Sequence, residues 1–155
     1  MAYIIDDPYI HMAIAKNLAL HGVYGVTRFE WTGASSSPLW TCLLGGLYFL
    51  FGVRTWLPLV LNILSACGTL ILIDRLACRF ALGNASRCIT VLAVALCAPL
   101  PTLVAMGMEH SLHVCLCLAL LLAAERMLAE KASSPSRVVV ACTLSALATG
   151  VRYET

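Results

Sequence analysis

Asp6 and Asp7 stand side by side at the edge of an apolar stretch, YIIDDPYIH (residues 3–11), in a chain with only eight acidic residues among 155. A positioned carboxylate can accept a proton from a substrate, and acids at the rim of a hydrophobic segment are costly to keep without a use. The two aspartates are not equivalent. Pro8 suits a first helical position, so Asp7 is expected at the N-cap, with its side chain occupied by free backbone amides. Asp6 has no such duty and is the freer carboxylate. A third acid, Glu109 in GMEHSL, either marks a helix start, where the dipole favours an acid, or takes part in chemistry. His11, one turn beyond Asp7, either joins it in a metal site or faces a polar interface. His110 and His113 lie three apart on one helix face with no third ligand nearby, and read as structural. The eight cysteines include no Cys-x2-Cys pair. Cys115 and Cys117 point about 200° apart on a helix, and the set reads as small packing residues.

These groups need elements to hold them, and composition says which solvent those elements meet. The chain is 61% hydrophobic and 12% charged, with a mean hydropathy of +0.89. A soluble domain carries about 25% charged residues, so lipid is the expected solvent. The net charge of +2 leaves no nucleic-acid footprint. Residues 55–73 and 88–107 are uncharged runs near the roughly 20 residues a spanning helix needs. Residues 110–124 are shorter, but Glu125 and Arg126 can snorkel at their end. Residues 138–151 span with help from their flanks. The expected fold is all-α and polytopic, with about four spanning helices.

The front half reads differently. Ile10, Ala13, Ile14 and Leu18 recur at helical spacing, and Gly22 with Gly25 ends that pattern. VYGVTRFEWTGASSSP is polar enough for a loop. Within 31–53 the apolar part begins near Pro38 and contains Gly45-Gly46, so it either spans or lies along the interface. Charge favours the interface. Arg75, Arg79 and Arg87 surround one loop, and Arg126, Lys131 and Arg137 another; both are expected in the cytoplasm. Helix 88–107 then runs outward, which places Glu109, Arg152 and Glu154 outside. If 38–52 spanned, the aspartates would be cytoplasmic. If it lies flat, Asp6, Asp7 and Glu30 share the outer face with Glu109. Residues 1–54 are thus expected as an external loop with interfacial helices, and 55–155 as the transmembrane part. The sequon Asn84-Ala85-Ser86 falls in an expected cytoplasmic loop. MAYII reads as the tail of a spanning helix, and the chain as a piece of a longer protein.

DDPYIHMAIAKNLALHGVYG, SSSPLWTCLLGGLYFLFGV, GMEHSL and a closing RYE follow one another in order. This arrangement resembles the integral-membrane glycosyltransferases of the C superfamily, in particular the lipopolysaccharide galacturonosyltransferase-like branch, with protein mannosyltransferases more distant. The resemblance implies an acidic pair in the first external loop, membrane-parallel helices after it, and a second acidic motif in the next external loop. It implies inverting transfer of a sugar from a polyprenyl-phosphate carrier to a hydroxyl on a lipid, glycan or protein. It also implies a multi-pass protein of the plasma membrane, the bacterial inner membrane, with a divalent metal in some relatives. Such transfer needs one base for the acceptor and cations for the leaving phosphate. Asp6, Asp7 and Glu109 are candidates for the first role, with Asp6 favoured. Arg152, Arg28 and Lys16 are candidates for the second, with Glu154 beside them in the substrate site. The alternative is a transporter or non-catalytic membrane protein, but transport acids lie inside helices near the midplane, and here the acids collect at one face.

Overall fold

The structure is a computed structural model that describes residues 3, 6–96, 99–129 and 134–153. Among the described residues it is all-helical, with seven helices: α1 (Asp7–His21), α2 (Pro38–Phe51), α3 (Leu57–Arg79), α4 (Asn84–Leu96), α5 (Leu100–Met106), α6 (His110–Ala129) and α7 (Pro135–Val151). Residues 22–37 form the irregular loop expected between the first two.

Proline sets most of the starts. Pro8, Pro38, Pro58, Pro101 and Pro135 each occupy the first turn of a helix, where a missing N–H costs nothing. The same chemistry divides the run expected as one span over 88–107. Pro99 and Pro101 cannot donate to a continuing helical ladder, and the chain forms α4 and α5, bent by 40° to one another. Among the described residues, only α3 and α6 are long and apolar enough to cross a membrane unaided, or three segments if α4 and α5 make one bent span. At 17 residues α7 is below that length, as is α2 at 14. Length and composition thus support two spans, or three, of the four expected, and α7 falls one residue short of spanning unaided. The first basic loop is also shorter than expected, because α3 continues through Arg79 and α4 begins at Asn84.

A second correction concerns the aspartates. Asp6, not Asp7, holds the N-cap of α1, and its side chain makes no capping hydrogen bond. Asp7 is the first helical residue, with Pro8 behind it. The proline tolerates either of the first two helical positions, so the sequence alone leaves the N-cap open by one residue.

The best-packed region lies at the front of the chain. Met12 and Ala15 of α1 meet Trp40, Leu44 and Tyr48 of α2, with Tyr3 and Leu57 closing the cluster. Gly45 permits this approach: a Cβ there would come within 3.0 Å of the Leu18 side chain on α1. Its neighbour Gly46 faces open space. The long helices are buried far less. One third of the apolar window of α3 is covered by protein, against 6% for α6. No residue of α4 is buried. Apolar surface on this scale needs lipid or further protein against it.

Helix ends define two poles. At one, Tyr3 donates its hydroxyl to the Thr55 carbonyl at 2.8 Å, Asn62 donates to the Val104 carbonyl at 3.3 Å, and Arg152 reaches His110. At the other, Arg79 at the end of α3 grips both carboxylate oxygens of Glu125 near the end of α6. Arg87 of α4 forks onto Asp74 of α3 there, at 2.7–3.0 Å.

Candidate functional site

The first pole carries the candidate site, and it starts from the α1–α2 contact. His11 is 3% exposed and lies under the loop that leads into α2. Its Nδ1 stands 3.1 Å from Ser35 Oγ and 3.3 Å from Thr41 Oγ1, and those two hydroxyls are 2.8 Å apart. Counting protons assigns the histidine. Thr41 donates its hydroxyl to the Ser37 carbonyl at 3.0 Å, and Ser35 Oγ accepts the Ser37 amide at 3.1 Å. The Ser35 proton serves the short contact to Thr41. With each hydroxyl holding one proton, His11 Nδ1–H is the donor that leaves every contact with a hydrogen. In the neutral ring, Nε2 is then an acceptor.

That acceptor faces a carboxylate. His11 Nε2 and Glu109 Oε2 are 4.0 Å apart. Glu109 is 1% exposed, and its Oε2 has no hydrogen-bond partner. Burial holds the His11 pKa below its usual 6.5, against the opposing pull of the Glu109 and Asp7 charges, and His110 lowers it further. The imidazole is thus neutral near pH 7, and two acceptors converge on one spot. A group with two donor hydrogens, such as a water or an amino group, entering between them satisfies both, and the unmade bond of a buried carboxylate is expensive.

Backbone geometry aims Glu109 inward. Gly107 ends α5 in the left-handed region at φ 73°, which side chains other than hydrogen rarely adopt. The ring of Tyr3 also lies against the position a Cβ would take. The chain reverses in three residues and delivers Glu109 just ahead of α6, whose His113 amide donates to the Glu109 carbonyl at 2.9 Å. His110 follows, with Nδ1 at 3.8 Å from Glu109 Oε1. Arg152 Nη1 stands 3.1 Å from that same nitrogen. A guanidinium only donates, so His110 Nδ1 accepts, and the arginine is held beside the carboxylate through the ring.

A cleft of about 130 Å³ opens next to this network, lined by Asp7, Ile10, His11, Ala34, Ser36 and Met108. Asp7 and His11 are four apart and share a helix face. Asp7, His11, Glu109 and Arg152 are therefore gathered at one pole. The other expected residues are not. Asp6 is exposed and outside the cleft lining. Lys16 is exposed on α1, roughly 13 Å along its axis from Asp7. Arg28 lies in the loop with its guanidinium 4.8 Å from the centre of the Phe29 ring. Glu154 and Lys131 lie outside the described residues.

Ser35, Thr41 and the pairing of His110 with Arg152 were not foreseen from sequence. Ser35 belongs to a serine run that reads as ordinary loop chemistry, and His110 lacked a visible partner because Arg152 is far along the chain. The position of His11 one turn from Asp7 was the available signal. The cysteines described are free, and among the described residues no three His, Cys, Asp or Glu side chains group as metal ligands.

The chain matches no family model, no curated protein and no solved structure.

Proposed function

We propose that this chain carries part of a membrane glycosyltransferase site that moves a sugar from a polyprenyl phosphate to an acceptor hydroxyl at the outer face of the plasma membrane. In this reading α3, the bent α4–α5 pair, α6 and α7 cross the bilayer. Helices α1 and α2 lie in the outer interface, and the arginine pole faces the cytoplasm, in keeping with the excess of basic residues there. The order of the DDP, SSSPLW, GMEH and RYE segments supports it.

The observation that carries the proposal is the cleft lined by Asp7 and His11, together with the unpartnered carboxylate of Glu109 at 4.0 Å from His11. Asp7, open to the cleft, removes the proton of the acceptor hydroxyl. The acceptor oxygen attacks the anomeric carbon as the carbon–oxygen bond to phosphate breaks, so configuration inverts. The carrier departs as polyprenyl phosphate and takes the bonding pair with it. It needs positive charge rather than a proton, and Arg152, held against His110 beside Glu109, supplies it in this reading. Glu109 Oε2 accepts the single hydrogen of a substrate hydroxyl and fixes its orientation beside the neutral His11 ring. Ser35 and Thr41 hold the His11 ring.

The test is transfer from a polyprenyl-phosphate sugar in membranes holding equal amounts of each variant of the full-length protein. Asp7→Asn is expected to lose about a hundredfold or more, the usual cost of a general base. Asp6→Asn is expected to stay within a few-fold of the parent. An active Asp7→Asn beside a dead Asp6→Asn would return the base to Asp6. Full activity in both would remove this cleft from the reaction.

A further inference from the structure

The arginine pole holds a second cleft, of about 160 Å³, between α6 and α7, lined by Ala123, Arg126, Arg137 and Val140. Its order along the two helices is informative. On α6 the apolar residue precedes the arginine by three positions; on α7 it follows by three. The helices run in opposite directions, since the end of α6 leads into the start of α7. Each therefore puts its arginine at the outer end and its small or branched apolar residue one turn deeper. The cleft has a cationic rim and an apolar floor one turn deeper along both helices.

We infer that this cleft binds the phosphate headgroup of an anionic phospholipid, with an acyl chain descending over Ala123 and Val140. A free anion would use the rim and leave the floor unmatched; a neutral lipid would use the floor and leave the rim unmatched. The surroundings fit an amphiphile. Leu128 is 88% exposed, and Val138 and Val139 are exposed beside Arg137. Arg126 is exposed at the rim, and Glu125 beside it is gripped by Arg79. Basic pockets between membrane helices are a known setting for anionic headgroups. The inference requires only that the chain spans a membrane, not that it transfers sugars.

The experiment places the full-length protein in neutral-detergent micelles and measures thermal unfolding and lipid retention by native mass spectrometry. The probes are phosphatidylglycerol, phosphatidylcholine and inorganic phosphate. Phosphatidylglycerol is expected to raise the midpoint and to be retained about tenfold or more over phosphatidylcholine. R126Q/R137Q is expected to lose that preference, and R126K/R137K to keep most of it. Val140→Asp, which leaves both arginines in place, is expected to lose it too. An unchanged preference in R126Q/R137Q overturns the proposal, as does an equal shift with inorganic phosphate. If R126Q/R137Q fails to fold, Val140→Asp decides: retained preference there overturns the proposal.

Discussion

The two poles of this molecule use charge in opposite ways. At the cleft pole, Glu109 and His11 are almost wholly buried, and the hydrogen bonds around His11 run to Ser35 and Thr41 from other segments. At the arginine pole, Arg79 and Glu125 are more than a third exposed, and so is Asp74 opposite Arg87. A buried network is costly when incomplete, so its members hold one geometry. Exposed ion pairs gain little because water or headgroups compete for the same charges. The first pole is therefore the more rigid in geometry, and the second the more open to competition from solvent or headgroups.

The sharpest way to break the comparison is to find both poles on one side of the membrane. Single cysteines at Ser36 and Ser134, in a background without the native cysteines, meet an impermeant maleimide in intact cells. Position 36 is expected to react fully, and position 134 only after permeabilisation. Outside labelling at both positions would dissolve the two-pole arrangement.

A smaller effect separates function from stability within the cleft pole. Glu109→Gln replaces one carboxylate oxygen with an N–H donor that can face His11 Nε2. The converging acceptors are relieved, and stability is expected to rise by about 0.5–1.5 kcal/mol, the worth of one hydrogen bond. Transfer activity is expected to fall, because the substrate hydroxyl now meets an occupied acceptor. Chemical denaturation and the transfer assay on one preparation check both signs. A Glu109→Gln protein that is both less stable and fully active would show that the carboxylate serves the fold alone.

The smallest expected effect is in pH dependence. His11 is held below its usual value by burial. The unfolded chain, with its histidine near 6.5, takes up a proton before the folded chain does. The contribution of His11 is complete above that pH and is lost as pH falls through 6.5 towards the lowered folded value. Thermal midpoints between pH 8 and pH 5 are expected to decline in the parent and to decline less in His11→Gln. Equal slopes would mean that His11 protonates as freely folded as unfolded.

Several elements of this molecule can be read directly from the chain. Pro8, Pro38 and Pro135 announce helix starts because a missing N–H is harmless only there. Gly22 announces an end because it adopts φ 66°. The apolar runs of α3 and α6 announce spanning length, and the loop between α1 and α2 is legible from its polarity. The division of 88–107 was also within reach, since Pro99 and Pro101 are in plain sight, but a hydropathy window weighs apolarity and ignores the lost donors. The roles of Asp6 and Asp7 hinge on one residue of helix register, which local rules leave open.

What the sequence determined by itself is the apolar character of the long runs, the helical class and the proline-set helix starts, because each follows from side-chain transfer energies or from backbone dihedrals within a few residues. What only the tertiary structure decided is which of those acids is open and which is buried. Glu109 meets His11 because Gly107 turns the chain beneath Tyr3, and because α2 closes on α1 at Gly45 and brings Ser35 and Thr41 to the imidazole. Arg126 meets Arg137 because α6 and α7 pack side by side. Contacts between segments distant in the chain depend on how helices pack, and no local pattern encodes that.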